Sequence, residues 1–151
     1  MKHISFLRIV FLVVALAVCM SFASCDLEHS DNGKLDGMWH LERMETLETG
    51  DVQDLSMSGY YWSFQVRLLQ LEDKSQAAQT CLLRFEQTGT QLHVYEPYLY
   101  NRETGDEPIS DPDVLEPYGI NALDETFQIE RLNHKYLVLK SSQAELFFRK
   151  N

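Results

Sequence analysis

The 151-residue chain carries 23 acidic against 13 basic side chains, a formal net charge of −10. Such a surface repels phosphates and anionic headgroups, which excludes nucleic acid as a partner and membrane attachment through a basic patch. The length suits one domain with a sizeable core.

Residues 1–24 open Met1-Lys2-His3, carry Arg8, and run apolar from Ile9 to Met20. A basic start, an apolar stretch shorter than a span of about 20 residues, and small residues before a cut form a secretory signal. Phe22-Ala23-Ser24 followed by Cys25 resembles the lipobox of bacterial lipoproteins. The resemblance implies cleavage before Cys25 and acylation of its thiol and new amine. The membrane partner is then reached through lipid, at the outer membrane, with the domain surface-exposed or periplasm-facing. Lys2 and Arg8 leave with the leader, so the net charge of −10 becomes −12. Cys19 leaves too, and with Cys25 acylated Cys81 remains as the single thiol, so the mature chain has no intramolecular disulfide. Cys81 lies in the apolar run Thr80-Cys81-Leu82-Leu83 and reads as a small buried hydrophobe.

Residues 25–35 comprise the acylated cysteine and a polar stretch, DLEHSDNGKL, that reads as a flexible tether. Its ten residues span up to about 30 Å when extended. Residues 36–151 form the domain.

Within the domain the period is that of strands. Met38–Thr46 alternates, with Trp39 and Leu41 opposite His40 and Glu42. In Tyr60–Asp73, Trp62, Phe64, Val66 and Leu68 share a phase that then slips, because Leu69 and Leu71 are apolar and Gln70 is not. A slip of this kind predicts a bulge, a bend, or a split into two strands. Thr80–Gln87 and Gln91–Glu96, joined by Thr88-Gly89-Thr90, read as a hairpin. Residues 126–132, 136–140 and 144–150 read as a closing meander with turns at Asn133-His134 and Ser141–Gln143. Seven strands are counted, eight if the long one splits. Alternating strands with short polar turns predict an all-β antiparallel sandwich or barrel.

One long connection, Pro97–Asn121, holds all four prolines and concentrates carboxylates. Within it, Asp111-Pro112 predicts a short helix capped by Asp111 and ended by Pro117. Loops of this length bind, cover or gate something, or are disordered. The expected arrangement is a lid, with Val114 and Leu115 as apolar feet in one barrel mouth.

Gly37-Met38-Trp39, opening the first strand, resembles the Gly-x-Trp signature of the lipocalin or calycin superfamily. The last strand, Glu145-Leu146-Phe147-Phe148-Arg149, is similar to the last barrel strand of that group, where a basic side chain packs over the signature tryptophan. With the lipobox, the segment Leu115–Ile120 and the meander, the chain resembles small lipocalin-like lipoproteins of Bacteroides-type bacteria. The resemblance implies a lipocalin-like barrel of about eight strands, with Gly37, Trp39 and Arg149 as its structural signature and Arg149 over Trp39.

Tyr60, Tyr61, Trp62, Phe64, Tyr98, Tyr100 and Phe127 are candidates to line or rim a ligand cavity, a setting that favours aromatic walls. The mature histidines His29, His40, His93 and His134 are scattered, and the acidic loop has no EF-hand spacing, so neither a metal site nor a cofactor is expected. No Gly-x-Ser-x-Gly elbow, phosphate loop or dinucleotide fingerprint marks an enzyme. The expected function is binding of a small apolar ligand, or service as an accessory module in an envelope complex. The alternatives are a filled barrel acting by protein–protein interaction and a cryptic hydrolase, for which a Cys81–His93 contact would argue.

Overall fold

The structure, a computed structural model, describes residues 30–151. The leader, Cys25 and the first half of the tether lie outside the described residues. The strands are β1 (Gly37–Thr46), β2 (Val52–Asp54), β3 (Tyr60–Gln65), β4 (Leu68–Asp73), β5 (Cys81–Thr88), β6 (Gln91–Leu99), β7 (Glu107–Pro108), β8 (Glu125–Leu132), β9 (Tyr136–Lys140) and β10 (Ala144–Lys150). Eight of them form a closed antiparallel ring in the order β1-β3-β4-β5-β6-β8-β9-β10, and β10 pairs back onto β1. Closure removes the sheet edges that an open meander leaves unpaired. The two short strands are satellites: β2 pairs with β1, and β7 pairs with β6.

The phase slip in Tyr60–Asp73 is a hairpin turn. Val66 and Arg67 separate β3 from β4, and Val66 takes a left-handed φ of 56°. Trp62 then pairs with Leu71 and Phe64 with Leu69, so both apolar phases point inward. Register shifts at Leu41/Arg43, Leu82/Arg84 and Ile129/Arg131 insert extra residues into β1, β6 and β8. Such bulges add local bend and twist, which a closed barrel needs.

Each end of the barrel is sealed by a short segment tied to a tryptophan. At the base, where β1 begins and β10 ends, Gly33–Leu35 makes a 3-10 turn that buries Leu35 completely. The Trp39 indole N–H donates to the Leu35 carbonyl at 2.8 Å. Residues 30–35, expected as tether, are thus partly domain. The Asn32 amide donates to Asp36 and to the Val66 carbonyl, both at 2.8 Å, and the Val66 amide donates to the Ser30 hydroxyl at 3.1 Å. At the mouth, the long connection folds inward through 3-10 turns at Pro112–Val114 and Glu116–Tyr118. Asp111 caps the first by accepting from the Asp113 amide. Pro117 was expected to end the helix, but it sits inside the second turn, which Gly119 ends with a φ of 83°. Leu115, Tyr118 and Ile120 are completely buried and Val114 is half-buried, so the segment is a plug. The Trp62 indole donates to the Tyr118 carbonyl at 3.1 Å, and the Tyr118 hydroxyl donates to the Gln79 carbonyl at 2.8 Å.

Between these seals the inward side chains of all eight strands fill the interior. Trp62 is the hub, with ring centroids 5.1 Å from Phe148, 5.9 Å from Phe127 and 6.1 Å from Phe64. Edge-to-face and tilted pairs at these spacings add about 0.5–1.5 kcal/mol each beyond burial.

Candidate binding surface

The candidate ligand residues separate into core and surface. Trp62, Phe64 and Phe127 were expected to line a cavity. They are instead buried against one another and leave the seals as neighbours above and below. Tyr60 is half-buried with its ring edge-on to Tyr118, 5.5 Å away, inside the plugged mouth. Tyr61, one residue on, points outward and stacks on His40 at 4.8 Å. Tyr98 is on the outer face of β6, and Tyr100 is exposed just beyond it. These four do not form one rim, because neighbouring residues in a strand face opposite sides.

The same alternation corrects the signature pair. Trp39 is opposite Lys150, and Arg149 is opposite the outward His40. Lys150 therefore turns in, with its Nζ 4.7 Å from the Trp39 ring centroid and 2.9 Å from the Lys34 carbonyl. Arg149 turns out and pairs with Glu42 at 2.7 Å. The basic cover on the tryptophan is present, one residue later than expected. Gly37 opens β1 with a φ of 107°, and a Cβ there would lie 3.2 Å from the Lys150 side chain. Gly37 thus leaves room for that cover.

Cys81 is completely buried, and desolvation pushes its thiol up to about 11, so it is protonated at neutral pH. It is opposite Leu99 at the mouth end of β6. His93 is opposite Glu86 nearer the base, faces outward, stacks on Tyr95 and bonds Asp124 at 2.8 Å. The two are not brought together. Among the described residues no group of three His, Cys, Asp or Glu side chains is placed to hold a metal ion.

What the sequence reading missed is the outer face of β4, β5 and β6. A groove of about 1160 Å³ runs there, and its wall includes Arg67, Leu68, Leu82, Arg84, Tyr95 and Tyr98 together with the carboxylates of Asp31, Glu86, Glu96 and Asp106. Register builds it: Leu68 is opposite Arg84, Arg84 is opposite Tyr95, and Leu82 is opposite Tyr98. Neither Arg67 nor Arg84 is paired with a carboxylate among the described residues, in a chain with a large excess of acid. Leu68 is 40% exposed. Guanidinium groups and carboxylates beside phenol rings and leucines suit a ligand that offers charges of both signs together with apolar groups. The sequence did carry a signal, since Leu82 and Leu68 are apolar on the polar phase of their strands.

The closed ring, the opening Gly-x-Trp strand and the base seal now stand beside comparisons with known proteins. A family model described as a lipocalin-like domain matches residues 18–151. The chain belongs to the lipocalin-like family. The fold is similar to the crystal structure of a lipocalin-like protein from Bacteroides uniformis, with a TM-score of 0.60 at 19% identity, over 79% of this chain and 100% of that one. It is also similar to the crystal structure of an uncharacterized protein from Bacteroides eggerthii, with a TM-score of 0.55 at 18% identity, over 78% and 99% of the two chains. Comparison with curated proteins finds no match. Lipocalin-like family members are generally binding proteins and not enzymes, and the barrel supports a ligand-binding or accessory role in general.

Proposed function

We propose that this lipocalin-like chain is a lipid-anchored accessory module of the bacterial envelope that binds a protein segment on its outside. The observation that carries this reading is the double seal: Leu35 fills the base, and Leu115, Tyr118 and Ile120 fill the mouth, all completely buried. A small-molecule site of about 300 Å³ or more needs interior space, and here the aromatic hub occupies it. Binding moves outward, to the groove on β4–β6. Its Arg67 and Arg84, its four carboxylates and its phenol and leucine groups fit a partner segment bearing charges of both signs and apolar side chains. The anchor rests on the lipobox resemblance at Cys25.

The test joins native mass spectrometry of envelope-extracted protein to site-specific photo-crosslinking from position 82. The expected result is a barrel carrying no ligand beyond its acyl chains, and a crosslinked protein partner. Recovery of that partner falls in Arg67→Ala and Arg84→Ala and is unchanged in Lys140→Ala, on the far side of the barrel. A lipid or other small molecule bound one-to-one and retained by Cys25→Ser would overturn the filled-barrel reading. Normal membrane retention of Cys25→Ser would overturn the anchor.

A further inference from the structure

The two ends of the barrel differ in charge, and the tether leaves from one of them. Ser30 is fixed at the base through its bond from Val66, five residues after Cys25. Five extended residues reach at most about 18 Å. The eight-residue β5 rises about 26 Å, or about 20 Å along the barrel axis at a tilt near 40°. An anchor at Cys25 therefore keeps the base close to the lipid, while the mouth lies beyond easy reach of the headgroups.

Charge acts in the same direction. The mouth connections 47–59, 74–80 and 100–123 carry nine carboxylates against two cations, Lys74 and Arg102. At the base, Lys34, Arg67, Lys135 and Lys150 face Asp31 and Asp36. With Asp26 and Glu28 of the tether counted, four cations meet four carboxylates, so the base is close to neutral and is tolerated by an anionic surface without being strongly attracted. The mouth is repelled. Side-on contact would press its acidic rim towards the headgroups, where repulsion acts within a Debye length of about 8 Å at physiological salt.

From tether length and charge together we infer that the base is this chain's membrane-facing surface, and that its partner there is an anionic lipid bilayer. The turns around Gly89 and Lys135 then lie against the headgroups. The plugged acidic mouth points away, and the β4–β6 groove stands upright between the two. This orientation rests on the acyl anchor of the proposed function, so its test separates the two.

The mature chain, with a lipid coupled to Cys25 through a maleimide, is bound to vesicles of phosphatidylcholine containing phosphatidylglycerol. Environment-sensitive labels are attached by azide–alkyne coupling to p-azidophenylalanine in place of His134, exposed at the base, or of Met57, 96% exposed at the mouth. Cys81 is buried, so the maleimide lipid couples at Cys25. Headgroup nitroxide is expected to quench the His134 label several-fold more than the Met57 label. Lys34→Glu/Lys135→Glu should narrow that ratio, and high salt should narrow it in the wild-type background. Equal quenching of the two labels, or stronger quenching at Met57, overturns the orientation. Cell-made protein that fails to float with membranes removes the anchor, whatever the chemically lipidated chain does.

Discussion

A single carboxylate shows how the barrel converts a polar side chain into structure. Asp73 ends β4, is 4% exposed, and accepts from the Ser75 hydroxyl and from the amides of Ser75, Ala77 and Ala78. Burial alone pushes its carboxyl up, but the bonds from Ser75 and the two alanine amides outweigh that and hold it below the usual carboxylate range. Because the folded value is depressed, the stabilisation is present in full above the ordinary carboxyl value of about 3.9 and is lost as pH falls through the folded value. Asp73→Asn should cost about 2 kcal/mol at pH 7, since amides are left poorly paired in a buried turn. Urea midpoints measured from pH 7 down to pH 2 should converge for the two proteins at the acid end. A constant gap across that range would show that the carboxylate charge is not what the turn uses. Tryptophan gives the complementary lesson at this scale. That a cation covers Trp39 was legible from the Gly-x-Trp segment, but which cation was not, because Arg149 and Lys150 differ only in the face they present. Pairing register decides that, and register belongs to two strands at once.

At the scale of elements, strand existence was legible and connection was only partly so. β9 and β10 match their expected bounds, because alternation there is clean and the flanking turns are polar. The plug was visible as Val114 and Leu115, yet Tyr118 and Ile120 bury more completely than Val114 and were not singled out. Their inward turn depends on Gly119, which alone allows a φ of 83° here without a Cβ; a Cβ at that position would lie 2.5 Å from Leu146 Cδ2. Gly119→Ala therefore meets both backbone strain and a clash inside the barrel, and should cost about 2 kcal/mol or more. The expected signature is local: in hydrogen exchange, residues 114–120 lose protection first while β8–β10 keep theirs. Wild-type exchange in 114–120 as fast as in the exposed stretch 101–106 would mean that the segment does not plug the mouth.

For the whole molecule, the filled interior makes Cys81 a reporter of global integrity. It packs among the core residues, its sulfur donates weakly to the Gln79 carbonyl at 3.5 Å, and its thiol is held in the protonated form. Alkylation at pH 8 should proceed only through unfolding, so its rate should rise with urea in step with the loss of tryptophan fluorescence. Fast labelling of the native protein would mean that the mouth opens without unfolding the barrel, and a ligand path would then exist. By itself, the sequence determined the class of this protein: strand period, turn chemistry, the position of Gly-x-Trp and the acidic balance are local properties that a chain displays before it folds. Only the tertiary structure decided what the aromatics do. Whether Trp62, Phe64 and Phe127 wall a cavity or fill one depends on whether distant segments, Leu35 at one end and Tyr118 at the other, close over them. That is a matter of volume shared among residues far apart in the chain, and local pattern carries no measure of it. The β4–β6 groove has the same origin, since its arginines, leucines and tyrosines meet only when three strands take one register.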